Sequence, residues 1–92
     1  MKKRIECHIE GRVQMVMYRD FAVRKATALG VVGTVQNMPD GSVLLNAEGE
    51  ESFINLYIEK LKRGSVLSHV EHVEVLWSEP HGQWSDFRIV YK

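Results

Sequence analysis

Cysteine is nearly missing from this chain: Cys7 is the only one in 92 residues. No disulfide can form within the chain, and no Cys-x-x-Cys pair exists to hold zinc, which fits a reducing, cytoplasmic setting. Net charge is missing as well. Twelve Lys and Arg balance twelve Asp and Glu, so there is no long-range basic field to gather nucleic acid or an anionic membrane. Any anion must be bound by local groups. No apolar run approaches the roughly 18 to 20 residues of a membrane span, because the longest uncharged stretch, residues 26–39, contains Gly30, Gly33, Gln36 and Asn37. The basic start Met1-Lys2-Lys3-Arg4 is followed by Glu6, His8 and Glu10, which interrupt the apolar core that an export signal needs. Proline is scarce, at two residues, while 45% of the chain is apolar and 26% charged, the balance of an ordinary globular protein. At this length one core is expected, so residues 1–92 read as a single domain. Without an evident long apolar surface run, a monomer is the default.

What is present has a clear order. Ile5, Cys7, Ile9 and Val13 alternate with Glu6, His8, Glu10 and Arg12, the pattern of a half-buried strand. The alternation breaks over residues 11–17. From Tyr18 the spacing of Tyr18, Ala22, Ala26 and Leu29 is helical, and Gly30 supplies a C-terminal cap. Residues 31–37 return to period two, Met38-Pro39-Asp40-Gly41-Ser42 carries turn chemistry, and residues 43–47 read as the returning strand of a hairpin. Gly49 closes that hairpin, and Glu48, Glu50 and Glu51 then place negative charge at the start of a second helix, which buries Ile54, Tyr57, Ile58 and Leu61 and stops at Gly64. Residues 73–77 and 87–91 are two further alternating runs around a Pro80-His81-Gly82 turn.

Strand, helix, strand, strand, helix, strand is the split βαβ order of a ferredoxin-like α+β fold. The expected architecture is an α/β sandwich: an antiparallel sheet with two right-handed crossover helices on one face and an extra C-terminal strand whose partner is left open. His69 and His72 lack the neighbours of a zinc site, so no metal or other cofactor is expected. Trp77, Trp84, Phe87 and Tyr91 read as core or sheet-face packing.

The stretch richest in chemistry is Gly11-Arg12-Val13-Gln14-Met15-Val16-Met17-Tyr18-Arg19, between the first strand and the first helix. Backbone N–H groups at a helix start lack intrahelical acceptors and sit at the positive end of the dipole, so a phosphate can be held there without net protein charge. Arg19 adds a planar fork matched to phosphate oxygens. On the residues alone, Arg19 also fits a solvated first-turn position, and Asn37 a turn cap.

These residues, with Leu29-Gly30, Gly33, Val35, Asn37 and Asp40-Gly41, resemble the acylphosphatase signature, a Gly-x-Val-Gln-Gly-Val-x-Phe-Arg loop followed by Gly-x-Val-x-Asn-x-x-Asp-Gly. The resemblance covers essentially the whole chain. It implies a cofactor-free hydrolase acting on an acyl phosphate to give a carboxylate and inorganic phosphate, with Arg19 binding phosphate, Asn37 orienting the attacking water, and Gln14, Met15, Val16, Met17, Tyr18 and Arg19 forming the phosphate-binding loop. One position departs from it. Met15 stands where the signature has Gly, and a left-handed conformation there would cost a residue with a Cβ about 1 to 2 kcal/mol. Its side chain could also crowd the phosphate, which would leave an impaired anion-binding or regulatory module as the alternative. Thr34 replaces the frequent Trp of the second strand.

Overall fold

The computed structural model describes residues 1–91. It contains β1 (Lys2–Arg12), α1 (Tyr18–Ala28), β2 (Val32–Asn37), β3 (Val43–Glu50), α2 (Glu51–Arg63), β4 (His69–Ser78) and β5 (Phe87–Ile89). The sheet order is β4-β1-β3-β2-β5. Both helices pack on one face, α1 against β2 and β5 and α2 against β1, β3 and β4. The core lies between: Ile5, Cys7, Ile9, Val35, Val43 and Leu45 from the sheet meet Ala22, Ala26, Ile54, Tyr57 and Leu61 from the helices, all fully buried. Two tyrosines join the helices through polar tips, Tyr18 donating to Leu61 O and Tyr57 to Ala22 O, each at 2.8 Å. Buried aromatic hydroxyls are tolerated because each has an acceptor.

The ferredoxin-like expectation holds in element order and layering. The fifth strand attaches parallel to β2, with Gly33 opposite Phe87 and Val35 opposite Ile89, so the sheet is mixed rather than purely antiparallel. Helix α1 ends in a Schellman arrangement: Gly30 N–H reaches Thr27 O and Val31 N–H reaches Ala26 O at 3.2 and 2.9 Å, with Gly30 at φ 70°. Strand β3 runs three residues beyond the expected 43–47 and passes directly into α2. Glu48 therefore belongs to the sheet and not to the helix entrance.

That residue is the one buried charge in the described chain, 4% exposed. Glu48 accepts from Arg4 at 3.2 Å and from the backbone N–H groups of His81 and Gly82 at 2.7 and 3.0 Å. Arg4 also donates to Asn46 Oδ1 and lies 4.6 Å above the Trp84 ring. Burial alone would raise the Glu48 carboxyl, but the two backbone donors and the guanidinium outweigh it and hold the group below its ordinary value. Trp84 thus packs on the sheet face as expected and Phe87 enters the core, whereas Trp77 and Tyr91 are largely exposed. Trp77 lies on β4, an outer strand with no partner on its far side, so solvent reaches its ring. Among the described residues, no helix is long and apolar enough to cross a membrane.

Candidate active site

At the far end of β1 the chain is forced out of the sheet. The β1–β4 register slips between Glu10 and Gly11, a β-bulge, and Gly11 sits at φ 129° with its α-carbon so close to β4 that a Cβ would stand 2.2 Å from His69 O. Only glycine fits. Beyond the bulge the side chains take alternate paths to helix α1. Val13 and Tyr18 are buried, Val16 packs partly against the core, and Met15 and Met17 face solvent.

The backbone of this loop alternates too. Between residues 13 and 18 only Met15 and Met17 have positive φ, 61° and 62°. Alternation of right- and left-handed residues turns successive N–H groups toward one point, the geometry of an anion nest. Met17 is the N-cap of α1 and caps nothing with its side chain. Among the described residues, no acceptor is found for the backbone N–H groups of Gln14, Met15, Val16 and Met17. The left-handed conformation anticipated at Met15 is present, with its cost, but the crowding is not. The Met15 side chain is 99% exposed and leaves the amides open.

Arg19 stands in the first turn of α1, beside this loop. Its guanidinium lies 5.2 Å from the centre of the Tyr91 ring, a cation–π contact. No carboxylate among the described residues pairs with it, because the neighbouring Asp20 is taken by Arg24 at 3.1 Å. Arg19 is thus half-buried and held on a ring, not waving in solvent. Val13, Met15, Met17, Tyr18, Arg19 and Tyr91 contribute to one hollow of about 510 Å³.

Asn37 closes β2 opposite Val43. It lines a second hollow with Gln36, Met38 and Pro39, while Arg19 stands in the first turn of α1 and lines the hollow with Tyr91. Tyr91 follows the last bond of the β2–β5 edge, in which Val90 N–H donates to Val35 O at 2.9 Å. Gly33, upstream on the same strand, is needed because a Cβ there would lie 1.9 Å from Asn46 O. Asn37 does not cap the following turn. That task falls to Asp40, whose Oδ1 accepts from Ser42 Oγ and Ser42 N–H at 2.6 and 2.9 Å, bonds that hold its carboxyl below its ordinary value. Asn37 Oδ1 is buried and accepts no hydrogen bond among the described residues.

Two contacts escaped the sequence. The Gln14 carboxamide reaches Met38 O and Ser42 O, and Tyr91 supports Arg19. Both partners are distant along the chain, and neither contact leaves a local pattern. Cys7 has no part in the site. Burial, with a smaller push from the Glu6 charge, raises its thiol to about 12, so it is not a nucleophile.

The sequence model of the family described as Acylphosphatase matches residues 5–89. The chain is 46% identical over 79 residues to an acylphosphatase of Thermus thermophilus, covering 86% of this chain and 90% of that one. It is 44% identical over 89 residues to one of Caldanaerobacter subterraneus, covering 97% and 99%. The crystal structure of acylphosphatase from Bacillus subtilis superposes with a TM-score of 0.93 at 34% identity, over 97% of this chain and 99% of that chain. Matched from first strand to last, in sequence and in fold, the chain belongs to the acylphosphatase family.

Proposed function

We propose that the chain hydrolyses the carboxyl–phosphate bond of acyl phosphates, by attack of water on phosphorus held in the nest at residues 14–19. One observation carries the reading: a run of unpartnered N–H groups around two left-handed residues, beside a guanidinium with no carboxylate partner among the described residues. Such donors recognise three negative oxygens on one atom. Arg19 binds two of them as a fork, and the Tyr91 ring limits the positions it can take.

Few groups suffice for the chemistry. A carboxylate leaving group has a conjugate-acid pKa of about 4, so it departs at neutral pH without a general acid. In a loose phosphoryl transition state the charge rests on the equatorial oxygens, where preformed amide donors stabilise it most. The water needs aim more than activation. The free Oδ1 of Asn37 supports that role, since it accepts a hydrogen bond from water and leaves a lone pair directed at phosphorus. The proton passes to a phosphate oxygen. The same reading takes residues 1–92 as one working domain, a monomer in the cytoplasm, a setting supported by the single buried thiol.

Benzoyl phosphate in excess chelator tests the activity. Hydrolysis well above the buffer rate is expected, and a rate equal to buffer refutes the proposal. Asn37→Ala should lower kcat with KM little changed.

A further inference from the structure

The nest and Asn37 sit on segments that do not touch through the sheet. Strand β3 lies between β1 and β2, the nest leaves β1 after a bulge, and Asn37 precedes the turn that joins β2 to β3. In-line attack needs water and phosphorus held to within about half an ångström, and an error of about 1 Å costs on the order of a hundredfold. Something must hold the two segments in register.

Gln14 is the side chain that spans the gap. Its Nε2 donates to Met38 O and to Ser42 O, both at 2.8 Å. Those carbonyls are the two posts of the turn after Asn37: Ser42 O also accepts from Met38 N–H at 2.8 Å, and Met38 O from Gly41 N–H at 3.1 Å. Both protons of one amide group are used, and two carbonyl acceptors require that the nitrogen, not the oxygen, face them. The Gln14 backbone meanwhile belongs to the nest. One residue is therefore built into the phosphate site at its main chain and bolted to the residue after Asn37 at its side chain.

Resting on the reading of Asn37 given above, we infer that Gln14 is a positioning residue, setting the distance between the water held by Asn37 and the phosphate in the nest. Because both carbonyls keep a backbone donor without it, the turn persists when Gln14 is changed, and the loss falls on alignment.

Steady-state kinetics on the full chain with benzoyl phosphate, together with inhibition by inorganic phosphate, give the test in four proteins: parent, Gln14→Leu, Asn37→Ala and the double variant. Gln14→Leu should lower kcat by about tenfold or more while the phosphate inhibition constant moves less than about twofold. In the Asn37→Ala background the same change should have almost no effect on kcat, the signature of coupled residues. An equal loss of kcat in both backgrounds, a loss confined to phosphate affinity, or no loss would each overturn the inference. If Asn37→Ala turns over at the parent rate, the reading of Asn37 fails and takes this one with it, whereas a parent no faster than buffer refutes the proposed function itself, and this inference falls with it. Gln14→Glu guards against a variant that does not fold. Its carboxylate faces two carbonyl oxygens and donates nothing, but protonation restores one donor, so kcat relative to the parent should recover as the pH falls through about 5. A ratio flat with pH contradicts the bolt.

Discussion

The two ends of the sheet are built on opposite rules. At the end where β1 begins, Glu48, Arg4, Asn46 and Trp84 form a closed set in which the buried carboxylate is met by a guanidinium and two N–H groups. At the end where β1 finishes, two methionines hold left-handed backbone, and among the described residues a row of amides has no acceptor and a buried amide oxygen has no donor. Unsatisfied donors and strained backbone cost stability and persist where they serve a ligand. The contrast separates an end whose polar groups are closed on one another from an end whose donors are left open.

Substitutions should obey that division. Glu48→Ala leaves the part-buried Arg4 guanidinium and two backbone N–H groups without their acceptor and is expected to cost about 3 kcal/mol, read from urea denaturation, with kcat per folded molecule unchanged. Altered kcat would join the two ends. Arg19→Ala should reverse the pattern, lowering kcat/KM by about 10² to 10³ while shifting the urea midpoint little. Tyr18→Phe lies between them. It leaves Leu61 O without its donor and should cost about 1 to 3 kcal/mol while the loop it anchors keeps its nest. The smallest effect should come from Met15→Gly, which relieves about 1 to 2 kcal/mol of left-handed strain against about 0.5 to 1 kcal/mol of added chain entropy. A gain under about 1.5 kcal/mol, with activity retained, is expected from thermal melts.

Acid sharpens the same comparison. The Glu48 carboxyl is held below its ordinary value, so the folded state binds that proton less readily than the unfolded one. Its contribution is complete above the ordinary carboxylate range and is lost as pH falls through that range toward the lowered value. Glu48→Gln should therefore flatten the stability profile below about pH 4.5, as measured by urea midpoints, and leave the neutral pH dependence of turnover alone.

Much of this was legible from local pattern. Alternation found β1, and i to i+7 spacing found the buried face of α2, whereas the close strand approach at Gly11 and Gly33 showed only in the structure. Arg19, Asn37 and the loop at residues 14–18 came from two motifs in register. What stayed hidden depended on partners far along the chain. Glu48 looks like helix-start charge because its partners, Arg4 and His81, are 44 and 33 positions away. Gln14 looked like loop backbone because its acceptors lie 24 and 28 residues on. Tyr91 read as core because alternation reports a face and says nothing of how far the neighbouring sheet extends.

The lone thiol has a use of its own. Cys7 sits on β1, flanked by β3 and β4, and is both buried and, at about 12, protonated at neutral pH. Its side chain lies between the sheet and the helices, so iodoacetamide can capture it only after that core opens. Its alkylation rate in water is thus a built-in stopwatch for global opening, readable by mass without any added label.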